Sequence, residues 1–263
     1  WDKSMGSAMT NELGLFGAFE RHNFGDWLMS FCADSLLAEA HCEWLYDFSE
    51  FGDGISKECG PYSKLEDFLA KSSRPLVIHV GGETLGCSTQ RANGMNPGAN
   101  TLSTRPIFYV LPEFVGKKRV RRLFFGIGGV NSKAISAEEK EYLREALSTS
   151  EWLGVRDSRS KSRLEALGIH PKLTPDLVSL LPQFCEFNDT QNKKRMVFQA
   201  SASEIISHES DILQFLDAAA KQFEVVEILT AGIAPGHDSW IECLKIQDQL
   251  RALGVNNVEV TLD

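Results

Sequence analysis

Leu76-Val77-Ile78-His79-Val80-Gly81-Gly82-Glu83 is a nearly uninterrupted apolar run that stops on glycine. A strand that is apolar throughout, instead of alternating with polar residues, is buried on both faces, as in a parallel sheet covered by helices. Similar β-rich runs lie at 13–19, 44–48, 107–111, 123–127, 152–155, 196–199, 225–229 and 258–262. Amphipathic stretches at 26–40, 137–147, 160–167, 211–222 and 239–253 read as helices between them. This alternation predicts an α/β protein built on parallel sheets. Ser136-Ala137-Glu138-Glu139 has the form of a capping box, and Gly168 and Gly254 fit left-handed helix stops.

The chain has 263 residues, which at roughly 100–200 residues per domain allows one large or two medium-sized domains. The polar stretch Asn188-Asp189-Thr190-Gln191-Asn192-Lys193-Lys194 breaks the pattern, and the βα alternation restarts after it. The expected division is a Rossmann-like α/β domain over 1–187, a linker over 188–194, and a partial second α/β domain over 195–263. Residues 171–182, with three prolines, read as a packed connector. Residues 86–106, rich in Gly, Asn, Ser and Thr, form a long non-periodic loop that suits either a lid or a mobile connection.

Composition excludes several classes. Lys plus Arg number 27 against 36 Asp plus Glu, a net charge of −9, so no nucleic-acid partner is expected. The cluster Lys117, Lys118, Arg119, Arg121 and Arg122 reads as a solvated rim ahead of a strand, with an anionic ligand or partner as the alternative. No stretch is long and apolar enough for a membrane span, and the first residues do not resemble a secretory leader. Cys32, Cys42, Cys59, Cys87, Cys185 and Cys243 are scattered without metal-ligand spacing. They read as buried reduced thiols, and the default location is the cytoplasm, or a Golgi lumen if an anchor has been removed.

In parallel sheets ligands bind beyond the carboxyl ends of the strands. The first strand delivers Asn23, Gly25 and Asp26 ahead of a helix, where they can cap it or hold a substrate hydroxyl. Gly81, Gly82 and Glu83 follow the strand at 76–80, and Gly126, Gly128 and Gly129 end the strand at 123–127. Such glycine turns expose N–H groups to anions or sugars. Neither turn is a dinucleotide fingerprint or a phosphate-binding P-loop. Trp152-Leu153-Gly154-Val155-Arg156-Asp157-Ser158 sets Arg156 at a strand end just before a helix start near Asp157 or Ser158. A guanidinium there suits phosphate or carboxylate, while an Arg156–Asp157 or Arg156–Asp176 structural pair is the competing reading. His79 reads as a core imidazole, and His22 and His237 as loop residues within reach of a ligand.

Asn23-Phe24-Gly25-Asp26, then Gly81-Gly82, then Gly126-Ile127-Gly128-Gly129, then Val155-Arg156-Asp157 with Ser160, and finally Pro175-Asp176 occur in an order that resembles the polysaccharide pyruvyl transferase family. The likeness is spread over roughly residues 12–182. It implies two Rossmann-like domains of GT-B type with the active site in the cleft between them. It also implies transfer of a pyruvyl group from phosphoenolpyruvate to a sugar, forming a pyruvate ketal in polysaccharide or glycan biosynthesis. Arg156, with Ser158, would then bind the donor anion. Asn23, Gly25, Asp26, Gly81, Gly82, Glu83, Gly126, Gly128, Gly129, Asp157 and His237 would line the cleft.

Small-molecule donor and saccharide acceptor are the expected partners, and no metal or cofactor is expected beyond the donor. The sequence departs from the family at Glu83, where glycine is usual, and lacks the family's R-x-H-S motif with its general-acid histidine. That motif is expected beyond Asp263, in a longer chain. Two other functions fit the same residues: a nucleotide-sugar glycosyltransferase of GT-B type, and a catalytically degenerate binding or assembly module.

Overall fold

The apolar runs become strands because their residues are shielded on both sides. The computed structural model describes residues 13–17, 24–40, 42–46, 62–87, 120–130, 136–185, 194–230, 232 and 239–262. The chain divides into two compact units, the second consisting mainly of residues from 187 onward. The expected strand at 107–111, the loop at 88–106, the linker residues 188–193, and His22 and Cys59 lie outside the described residues.

The first unit carries a seven-stranded sheet in the order β3-β2-β1-β4-β5-β6-β7. Its strands are β1 (Leu13–Phe16), β2 (Glu43–Tyr46), β3 (Tyr62–Lys64), β4 (Leu76–Val80), β5 (Arg121–Ile127), β6 (Trp152–Val155) and β7 (Lys172–Leu173). Every neighbouring pair is parallel. Its helices are α1 (Phe24–Leu36), α2 (Leu65–Lys71), α3 (Ala137–Ser148) and α4 (Ser158–Glu165). Chain order thus reverses at β1, the arrangement of a Rossmann-like sheet, with its switch point between β1 and β4.

Side chains along β4 alternate faces. Ile78 and Val80 join Leu15, Met29, Cys32, Ala33 and Trp44 under α1. On the other side Phe124, Ile127 and Val155 pack with Leu143 and Leu147 of α3 and Leu164 of α4. His79 is buried, stacked on Phe124 with ring centroids 4.1 Å apart and edge-on to Phe16 at 5.5 Å. It is a core residue.

The second unit holds a parallel three-stranded sheet in the order β10-β9-β8, from β8 (Arg195–Phe198), β9 (Val225–Thr230) and β10 (Val258–Leu262). Its helices are α5 (Ala202–Ser207), α6 (Glu209–Ala220) and α7 (Trp240–Ala252). Leu216, Val226, Ile228, Cys243, Ile246 and Leu250 form its core.

Several expectations are corrected in detail. Arg121 and Arg122 are not a rim ahead of the strand but its first two residues. The Arg121 Nε and Nη2 grip Glu151 at 2.7 and 2.9 Å, and Arg122 is buried, its guanidinium donating to Thr149 Oγ1. Strand pairing with Leu76 and Val77 extends β5 backward past its apolar segment. The single helix expected from 211 is preceded by the short α5, separated by His208 at φ −130°. The segment at 171–182 contains β7 and a 3-10 turn over Leu177–Gln183, with Leu177 in the core. Ser136 and Glu139 form the reciprocal capping box, and Gly168 and Gly254 adopt φ of +77° and +86°.

Cys32, Cys42, Cys87 and Cys243 are buried free thiols, and Cys185 is half-buried. Burial, with Asp34 nearby, pushes the Cys42 thiol up to about 12, and burial also raises Cys243. Only the thiolate reacts appreciably with alkylating agents. Iodoacetamide at about pH 8 is therefore expected to leave Cys42 and Cys243 unmodified in the native protein and to label both in denaturant, as read by peptide mass spectrometry. Rapid native labelling of Cys42 would contradict its placement beneath α1.

Candidate functional site

Four chain segments meet beyond the carboxyl ends of β1, β4, β5 and β6. Backbone bonds continue the β4–β5 pairing past the strands: Gly81 N donates to Phe125 O at 2.9 Å, Gly128 N to Gly82 O at 2.9 Å, and Leu85 N to Gly128 O at 3.0 Å. The two glycine turns are thereby laced together. A β-carbon on Gly129 would lie 2.6 Å from Glu83 Cβ and 2.7 Å from its Cα, and Gly129 has φ of +82°. Only glycine fits a backbone approach of this kind.

Asp26 enters from the first turn of α1, which also contains Gly25. Its side chain is buried, and a β-carbon on Gly82 would lie 2.8 Å from Asp26 Oδ1. Met29, one turn further, accepts the Gly82 N–H on its sulfur at 3.1 Å. The β1–β4 switch point is thus walled by α1 on one side and the Gly81–Gly82 turn on the other.

Arg156 follows β6. Its N–H donates to Ile127 O at 3.0 Å, anchoring it beside the second glycine turn. Its Nη1 donates to Asp176 Oδ2 at 2.7 Å, with both side chains partly exposed. Of the two structural pairs weighed for Arg156, the one with Asp176 forms. Asp176 uses its other oxygen to accept from Val178 N at 3.1 Å, so it caps the following 3-10 turn while it holds the guanidinium. A guanidinium has five N–H donors in a fixed fork, so one carboxylate oxygen does not exhaust it.

Asp157 is the N-cap of α4, accepting from Ser160 N at 2.6 Å, and Ser158 is the first helical residue, exposed beside it. A β-carbon on Gly128 would meet Asp157 Oδ2 at 2.8 Å and Arg156 Nε at 3.2 Å. The α4 side also fixes the end of the glycine turn: Ser160 Oγ accepts from Val130 N at 3.4 Å, and the Arg163 guanidinium donates to Val130 O.

Gly25, Asp26, Gly81, Gly82, Glu83, Gly126, Gly128, Gly129, Arg156, Asp157 and Ser158 therefore all stand at the carboxyl ends of the sheet, as the sequence placed them. Asn23 and His237 lie outside the described residues. Asp176, expected as a structural partner of Arg156 and as part of the Pro175-Asp176 motif, joins the candidate site through its grip on Arg156. Its signal is position: Pro175-Asp176 stands one residue past β7, the strand next to β6. Among the described residues, no group of three or more His, Cys, Asp or Glu could hold a metal ion. No helix among them is long and apolar enough to cross a membrane.

A Rossmann-like sheet with a glycine-lined crevice sets a guanidinium beside a helix N-terminus beyond its strand ends, a combination of donors suited to an anion. The family model for polysaccharide pyruvyl transferase matches residues 23–237, so the chain belongs to this family of transferases. Searches of curated proteins and of solved structures returned no match.

Proposed function

We propose that the protein transfers the pyruvyl group of phosphoenolpyruvate to a sugar, forming a pyruvate ketal, with Arg156 as the donor-binding residue. The observation that carries this reading is the placement of Arg156: a guanidinium oriented by Asp176 at 2.7 Å, beside the N-terminus of α4 and the glycine turn of β5. Phosphoenolpyruvate carries a carboxylate and a phosphate, both matched by a planar fork of donors and by helix N-terminal N–H groups. Ser158 supports the same anion. Asp26 and the turns Gly81–Gly82 and Gly126–Gly129 shape the crevice, and saccharide hydroxyls suit its carboxylates and backbone groups. Gly25 and Asp157 complete the proposed lining on the first unit. The partners on this reading are a small-molecule donor and a saccharide, with no cofactor beyond the donor.

Overall, the methylene carbon of the donor gains a proton, two sugar hydroxyls bond to its central carbon, and phosphate leaves. The charge that develops on the central carbon is next to the anionic groups that Arg156 holds, so correct placement of the donor governs the rate.

The test is turnover by the intact protein with phosphoenolpyruvate and a panel of galactose-, mannose- and glucose-based acceptors. Phosphate release together with a new ketal methyl signal in the proton spectrum is the expected result. Thermal stabilisation by nucleotide sugars alone, with no ketal from any acceptor, would favour a glycosyltransferase instead.

A further inference from the structure

We propose that Glu83 is the base that takes the proton from the acceptor hydroxyl as it attacks the donor, an inference that rests on the transferase reading above. Among the described residues of the site it is the carboxylate left uncommitted. Asp157 caps α4, and Asp176 grips Arg156 while capping the next turn. Asp26 is buried against the Gly82 turn. Glu83 is exposed and heads the 3-10 turn over Thr84–Gly86 without its side chain capping that turn. No hydrogen bond or ion pair to another described residue engages its side chain. A general base needs unoccupied oxygen lone pairs within reach of the proton it removes.

The stem of Glu83 is also held more firmly than an ordinary surface glutamate. Its Cα and Cβ rest against Gly129, and the bonds Gly128 N to Gly82 O and Leu85 N to Gly128 O hold the chain one residue before it and two residues after it. The adjacent glycine of the same turn, Gly128, lies under Arg156 Nε. One two-residue turn therefore spaces the Arg156 guanidinium from the stem of Glu83. The cation attracts the carboxylate and phosphate of the donor, and the Glu83 carboxylate accepts a hydroxyl of the acceptor. Their charges orient donor and acceptor along the turn.

The protons balance without an external co-reactant. A Brønsted acid protonates the methylene carbon, whose π pair forms the new C–H bond and leaves the central carbon electron-poor. The first sugar oxygen bonds to that carbon and its O–H proton passes to Glu83. The carbon–oxygen bond to phosphate then breaks, the pair leaving with phosphate, which carries away the proton from Glu83. The second hydroxyl attacks in turn, and its proton restores the Brønsted acid.

Glu83→Gln keeps size and hydrogen-bonding shape but removes the base. In the intact protein its kcat is expected to fall by about 10²- to 10³-fold, the KM for phosphoenolpyruvate to stay within about twofold, and the acid limb of the wild-type pH profile to disappear. Glu83→Asp should recover part of the rate and the acid limb. A Gln variant with wild-type kcat and pH profile overturns the proposal, as does one whose loss lies in donor KM. If the wild-type protein makes no ketal, both this inference and the transferase reading fall. If it does and Glu83→Gln is unaffected, only the inference falls.

Discussion

Gly129→Ala is expected to destabilise the first unit by about 2–5 kcal/mol. Two costs add: a left-handed conformation for a residue with a β-carbon, about 1–2 kcal/mol, and overpacking of about 1–3 kcal/mol. Position 129 has φ of +82°, and its nearest neighbours would be the Cβ, Cα and carbonyl carbon of Glu83 at 2.6, 2.7 and 2.9 Å. Two of those three are backbone, so they cannot swing aside without breaking the bonds that lace the two glycine turns. Gly168 supplies the control. It has a similar φ of +77°, yet a β-carbon there meets nothing within 4 Å. Gly168→Ala should therefore cost only the conformational part, about 1–2 kcal/mol. Chemical denaturation of both variants decides the matter, and equal losses would mean that the close approach at Glu83 adds nothing.

Arg156→Ala should weaken phosphoenolpyruvate binding by about 10- to 150-fold, corresponding to the loss of about 1.5–3 kcal/mol of charge-assisted hydrogen bonding. The effect on folding should be much smaller, because Arg156 and Asp176 are 25% and 34% exposed and water can solvate the carboxylate left behind. Titration calorimetry and thermal denaturation on the same variant separate the two roles. A large drop in melting temperature with donor affinity unchanged would make the Arg156–Asp176 pair purely structural. Arg156→Lys keeps the charge but loses the fork, so it should bind the donor more weakly than wild type and more tightly than alanine.

How much of this was legible in the sequence depended on residue type. β4 and β10 fall at the expected limits because their apolar residues begin and end where pairing does. β5 begins earlier than its hydrophobic run, since a strand is defined by backbone pairing and a buried arginine can occupy a sheet position when its guanidinium finds Thr149. β3 and β7 went unseen for the opposite reason. Tyr62–Lys64 and Lys172–Leu173 are too short and too polar to carry a periodic signal. α2 had a readable stripe in Leu65, Phe68 and Leu69, all buried, but it spans only seven residues and Lys64 gives it no side-chain cap.

At the site, the glycine clusters and the arginine could be placed at strand ends from their order alone. What the sequence could not express was mutual contact. That Gly129 touches Glu83, that Gly82 faces Asp26, and that Arg156 takes Asp176 and not Asp157 of the two carboxylates weighed for it are all consequences of which strands lie side by side. Sheet order is set by long-range packing, which local patterns do not encode.

The two borders of the large sheet have a consequence for how the protein fails. β3 and β7, three and two residues long, offer an incoming foreign strand very few backbone groups to pair with. Short edge strands bearing charged side chains are a known defence against intermolecular strand addition, and Lys64 and Lys172 supply the charge. A destabilised variant such as Gly129→Ala should accordingly lose function by unfolding, not by stacking its large sheet edge-to-edge into fibrils.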